Sequence, residues 1–156
     1  MQFNELLSKK TINLNLESTS KSEAITELVN LLNENGRVND KASFLNDVLA
    51  RENIESTDMG IGIAIPHGKS EAMKKTSIAI GRLTRPIYWN EEKQDEVPIY
   101  AIFLLAVSPN DKGVTHLELI SKIASLLIED DFIETLKTEQ NESRLLNTIR
   151  SRIGEM

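Results

Sequence analysis

The sequence predicts an α/β domain built on a mixed sheet, and three observations carry that reading. Segments 11–16 and 76–83 place apolar residues at every second position, as half-buried strands do. The run 97–107 is almost continuously apolar, as expected for a central strand covered on both faces. Between and after these, apolar residues recur at three- and four-residue spacing behind helix-start signals. The predicted order is β-α-α-β-β-β-α-α-α. No repeat, low-complexity tract or linker interrupts it, so residues 1–156 are expected to form one domain.

Taken in order, Ile12, Leu14 and Leu16 share one side of the first strand. Ser20 and Glu23 form an S-x-x-E capping box; Ile25, Leu28, Val29 and Leu32 follow at helical spacing, and Gly36 stands where a helix ends. Asp40 can cap a second helix with Phe44, Leu45, Val48 and Leu49 on its inner face. A short apolar strand is expected over 61–65, bounded by glycines and Pro66. Residues 90–96 read as an acidic turn between strands, and Pro109, Asn110, Asp111 and Gly113 as a loop. A second capping box, Thr115-x-x-Glu118, opens a helix with Ile120, Ile123, Ala124 and Leu127 facing inward. Asp130 or Asp131 can cap a short helix holding Phe132, Ile133 and Leu136; Asn141 can cap a last one holding Leu145, Leu146 and Ile149.

Composition excludes several function classes. There is no cysteine, hence no disulfide, thiolate nucleophile or cysteine-ligated metal. The formal charge of −6 and an aromatic content of 4% argue against a nucleic-acid binder or an anionic-membrane binder. No basic start followed by an apolar stretch marks a signal peptide, and no run approaches the roughly 20 residues of a spanning helix. A cytoplasmic protein is expected.

Chemistry concentrates at the glycines. Gly60, Gly62 and Gly68 frame Ile63-Ala64-Ile65-Pro66-His67, a rigid mount for one imidazole at a strand end, projecting into a loop. A structural turn with a surface histidine fits the same residues. The spacing matches neither a P-loop nor a dinucleotide fingerprint. His116 falls at a helix start, where free N–H groups and the helix dipole favour phosphate; a tolerant helix-start position is the alternative. Two histidines give too few ligands for zinc, so no metal is expected. Arg51 can grip phosphate bidentately or serve only as a cation at a helix C-terminus. No G-x-S-x-G elbow supports serine hydrolysis.

The run Arg51-Glu52-x-x-x-Ser56-Thr57-x-x-Gly60-x-Gly62-Ile63-Ala64-Ile65-Pro66-His67-Gly68 resembles the signature of enzyme IIA domains of the fructose–mannitol class. These belong to the bacterial phosphoenolpyruvate-dependent sugar phosphotransferase system. The segments 68–73 (GKSEAM) and 116–127 (HLELISKIASLL) extend the likeness toward the fructose branch. The resemblance implies a three-layer α/β/α sandwich. It implies that His67 accepts a phosphoryl group from the phosphocarrier protein HPr and passes it to a cysteine on a IIB component. With no cysteine here, the IIB component is expected on a separate chain. His116 is implied to support the group, Arg51 to neutralise it, and Thr57 and Gly68 to stabilise phosphate. No cofactor is implied. Asp58 and Ile61 depart from the family's usual glycine and polar residue, and Asp58 is expected to point away from phosphate.

On this reading neutral imidazole attacks phosphorus, its ordinary pKa of about 6.5 leaving it mostly uncharged near pH 7. In-line transfer needs positioning and charge neutralisation more than covalent help. The site should be shallow enough for two protein partners in turn. The nitrogen-type branch shares the histidine motif, so a regulatory IIA homologue acting by phosphorylation-dependent protein binding is the alternative.

Overall fold

The structure is a computed structural model that describes residues 5–90, 97–111 and 116–153. A turn of 3-10 helix at Lys9–Thr11 leads into β1 (Ile12–Leu16), then α1 (Lys21–Glu34) and α2 (Lys41–Ile54). Four strands follow: β2 (Ile63–Ala64), β3 (His67–Lys69), β4 (Ser77–Ile87) and β5 (Ile99–Val107). Three helices close the order: α3 (His116–Leu127), α4 (Asp130–Thr138) and α5 (Glu142–Ile153).

The sheet is mixed. β1 lies parallel to β4, β4 antiparallel to β5, and both β2 and β3 run parallel to β5 on its other side. Every β5 residue except Tyr100 is buried, which accounts for its unbroken apolar sequence. On one face α1 and α2 cover the sheet through Ile25, Leu28, Leu32, Phe44 and Val48, packed on Ala64, Ile102 and Leu104. On the other, Leu119, Ile123, Phe132, Leu136, Leu145 and Ile149 of α3–α5 pack on Ile78, Ile80, Phe103 and Leu105. Two cores sandwiching one sheet make the three-layer α/β/α architecture.

The glycine segment differs from the single strand expected over 61–65. It forms two short strands, β2 and β3, separated by Ile65 and Pro66. The physical reason is Pro66, which has no N–H to give to a ladder. Ile65 also leaves the ladder, its N–H turning to the Thr57 carbonyl at 3.1 Å. Pairing with β5 resumes when the Pro66 carbonyl accepts the Leu105 N–H at 3.0 Å.

Helix ends follow local chemistry, with three adjustments. Ser20 caps α1 by accepting the Glu23 N–H, but the Glu23 carboxylate reaches Thr19 rather than closing the box on Ser20. The Thr19 hydroxyl lets both oxygens of that carboxylate bond outside the helix. α4 has Glu129 at its N-cap with no side-chain cap; Asp131 is held instead by Arg152 of α5, which also binds Glu129. That guanidinium keeps the Asp131 carboxyl below the usual carboxylate range. In α3 the buried line is Leu119, Ile123, Leu126 and Leu127, while Ile120 and Ala124 lie only half-buried. That helix is apolar around much of its girth, so spacing alone left the centre of its inner face open. Asp40 and Asn141 cap α2 and α5 as expected, accepting the N–H groups of Ser43 and Arg144. Thr115, on which the expected 115–118 box rests, and positions 91–96 of the expected 90–96 turn lie outside the described residues.

Gly62, just before β2, has φ +87°, and a Cβ there would sit 2.8 Å from two ring carbons of Tyr100. Its carbonyl accepts the Tyr100 N–H at 2.8 Å, so the turn cannot back away without losing its ladder bond. Gly62→Ala is therefore expected to cost about 2 kcal/mol from backbone strain and crowding. Thermal denaturation should then show a melting temperature lower by roughly 4–8 °C. An unchanged melting temperature would show that the turn relaxes freely.

Candidate functional site

The break between β2 and β3 builds the site. His67 is the first residue of β3, in register with Leu105, so its backbone is fixed by the sheet rather than carried on a free loop. Pro66 fixes the approach, and the chain turns so that the Ile65 carbonyl meets the imidazole of His67: Nδ1 lies 2.9 Å from Ile65 O. A carbonyl only accepts, so Nδ1 carries the hydrogen and Nε2 carries the lone pair of the neutral ring. His67 is only 9% exposed, so it is a held, largely buried imidazole and not a surface histidine on a turn.

A groove of about 640 Å³ lies over His67, between the last turns of α2 and the β3 segment. Arg51, Asp47 and Ile54 line it from α2; Gly68, Lys69 and Ser70 line it from β3 and beyond. One guanidinium nitrogen of Arg51 donates to the Glu55 carbonyl at 2.8 Å, capping the end of α2. Its other N–H groups have no protein partner among the described residues. The cap thus orients the side chain without spending its fork. Asp47 accepts the Ser70 hydroxyl at 2.5 Å, tying α2 to the segment after β3. Gly68 lets the two elements approach: a Cβ there would be 3.3 Å from a Val48 methyl carbon.

The loop from α2 to β2 is organised by a carboxylate to which sequence reasoning gave no role. Glu52 is 3% exposed and follows Phe44 and Val48 at four-residue spacing on the buried face of α2. It accepts the Thr57 N–H at 3.1 Å, the Thr57 hydroxyl at 3.0 Å and the Trp89 indole N–H at 2.6 Å. An acid in line with a helix's core positions is the signal that could have found it. Asp58 turns its carboxylate onto the Gly60 N–H at 2.8 Å, a bond local to the loop.

The structure therefore brings together His67, Arg51 and Gly68 on one groove. Thr57 is not among the groove's lining residues; its N–H and hydroxyl both serve Glu52. His116 is the first residue of α3, a helix that packs against β3 and β5. Ile54, Ile61 and Leu117 are large apolar residues left exposed, at 81%, 47% and 75%. Among the described residues no group of three or more histidine, cysteine or acidic side chains could hold a metal ion. Nor is any described helix long and apolar enough to cross a membrane.

Residues 5–152 match the family described as "Phosphoenolpyruvate-dependent sugar phosphotransferase system, EIIA 2", and the chain belongs to that family. It is 34% identical over 149 residues to the "PTS system fructose-specific EIIABC component" of Bacillus subtilis, covering 96% of this chain but 23% of that protein. It thus spans about a quarter of the multicomponent relatives it matches. It is 32% identical to a "Nitrogen regulatory protein" of Bradyrhizobium diazoefficiens, covering 96% of this chain and 95% of that one. The crystal structure of nitrogen regulatory protein IIA-Ntr from Neisseria meningitidis superposes with a TM-score of 0.81 at 31% identity, covering 93% of this chain and 97% of that one.

Glu52 is the chain's sharpest structural test, because Trp89 is the sole tryptophan and reports on it directly. Glu52→Ala would leave the indole N–H and the Thr57 N–H buried without partners, a loss of about 3 kcal/mol. Tryptophan emission should shift, and chemical denaturation should move to lower denaturant. Unchanged emission and stability would show that the loop does not depend on Glu52.

Proposed function

We propose that the chain is a phosphoryl carrier in which Nε2 of His67 is the acceptor. The observation that carries this is the Ile65–His67 bond, which leaves the lone pair on Nε2. In the first step the N–P bond of a phosphohistidine on HPr breaks, its electron pair returning to the donor ring. The Nε2 lone pair of His67 forms the new N–P bond. In the second step that bond breaks, its pair returns to Nε2, and a thiolate on a IIB chain forms an S–P bond. Arg51, directed by its bond to Glu55, meets the phosphoryl oxygens, and the backbone at Gly68 leaves room for them. His116, at the start of α3, supports the group during onward transfer. Ile54, exposed at the edge of the groove, supplies an apolar contact against which the two partners dock in turn. On this reading the protein works in the cytoplasm, in sugar uptake and phosphorylation.

A regulatory role is the second reading, favoured by the likeness to nitrogen regulatory proteins along their whole length. Both readings use the same phosphorylated histidine and differ in the partner that reads it. Transfer of label to a purified IIB cysteine supports the carrier; stable binding of an unphosphorylatable partner that depends on the state of His67 supports regulation.

Incubation with phosphoenolpyruvate, enzyme I and HPr should give one acid-labile phosphate on the wild-type protein and none on a folded His67→Ala variant. Labelling at full level in that variant would remove His67 from the chemistry.

Arg51→Ala should slow transfer from HPr by roughly 10- to 100-fold, the worth of a charge-assisted hydrogen bond. Arg51→Lys should fall between, since an ammonium cannot bind two oxygens in a fork. Rapid-quench transfer rates and melting temperatures measured together separate this from capping: a variant that loses stability but transfers normally leaves Arg51 a helix cap only.

A further inference from the structure

A second groove, of about 530 Å³, opens where β1, β4 and β5 pass the end of α4. It is far from His67: Tyr100, in its wall, lies five residues along β5 from Leu105, the register partner of His67, or roughly 16 Å. Its size falls within the range of small-molecule sites. Leu14, Leu83 and Pro86 give it apolar walls, and Asn15 and Thr84 add neutral polar groups.

The charge inside is one-sided. Arg82 and Lys137 line the groove and no acidic residue does, in a chain with 24 aspartates and glutamates. Arg82 is 8% exposed, and its hydrogen bonds all go to neutral acceptors. These are the carbonyls of Leu136 and Glu139, at 3.2 and 2.6 Å, and the Gln140 side-chain oxygen at 3.1 Å. Those carbonyls close the C-terminal end of α4 and soften the cost of the buried charge, but no carboxylate pairs with it among the described residues. Lys137 likewise has no ion pair there; its ammonium stands 5.4 Å from the centre of the Tyr100 ring. The Tyr100 hydroxyl oxygen is buried and has no hydrogen-bond partner among the described residues. Burial raises its pKa, so it remains an O–H donor at neutral pH. A buried donor left unspent beside two unneutralised cations is uncommon in a folded protein unless something accepts from it.

We infer that this groove binds a small organic anion, a carboxylate or phosphate ester on an apolar or ring-bearing body, with Arg82 and Lys137 meeting the charge and Tyr100 donating to it. The body packs on Leu14, Leu83 and Pro86. Tyr100 also touches the turn at Gly62, so the bound anion would adjoin the segment that leads to His67.

The test is an amide NMR titration of the whole chain with phenyl phosphate, with benzoate and with neutral benzyl alcohol. Saturable shifts at Asn15, Thr84, Tyr100 and Lys137 are expected with an anion at millimolar concentration and not with the alcohol. Either anion supports the site, and the tighter one identifies its head group. Lys137→Gln and Tyr100→Phe, both mild changes at the groove wall, should each weaken that binding roughly tenfold or more. Shifts confined to the Arg51–His67 groove, equal response to the alcohol, or unweakened binding in both variants would overturn the inference.

Discussion

Two strands of two and three residues cannot stand alone, and the site depends on what holds them. Both β2 and β3 hydrogen-bond to the same side of β5, a strand buried almost throughout. That ladder fixes where the chain must be at Ala64 and again at His67. Pro66 prevents pairing from running through, so the Ile65 carbonyl is turned out of the ladder and onto the imidazole. The tautomer of His67, and with it the nitrogen proposed to accept phosphate, follows from strand pairing and one missing N–H. Mutations that loosen β5 should therefore reach the chemistry before they unfold the domain.

The rest of the groove is brought to this fixed point by α2. Gly68 lets Val48 come close, Ser70 bonds Asp47, and Glu52 ties the following loop to Trp89. These contacts hold the end of α2, which carries Arg51, against the segment that carries His67. Glu52 also shows how a buried carboxylate is tolerated: two backbone or indole N–H groups and a hydroxyl surround it, so desolvation is offset by hydrogen bonds. Arg51 need not choose between the two roles that the sequence left open: its bond to the Glu55 carbonyl uses one nitrogen, and the proposed grip on phosphate would use the remainder.

The fold was largely legible because burial and period agree. β5 reads as covered on both faces, β1 as covered on one, and α1, α2, α4 and α5 show their inner faces and most of their caps in the sequence. Legibility failed where side chains chose among competing local partners. Glu23 preferred Thr19, Asp131 preferred Arg152, and the wide apolar girth of α3 hid which residues lie deepest. The split of the glycine strand was written in Pro66, but its consequence for the histidine ring needed the path of Ile65, which is a tertiary fact. His67, Arg51 and Gly68 were legible as a group through the family signature. The bonds of Thr57 to Glu52, and the cationic groove at Tyr100, join residues distant in sequence and leave no local pattern.

If His67 is the acceptor, the Ile65 carbonyl dictates which of its nitrogens reacts. Nitrogen-15 NMR of the protein labelled at histidine, recorded before and after phosphorylation, identifies the substituted ring atom directly. A hydrogen is expected on Nδ1 in both states, with the phosphoryl group on Nε2. Phosphorylation on Nδ1 of His67 would contradict that assignment.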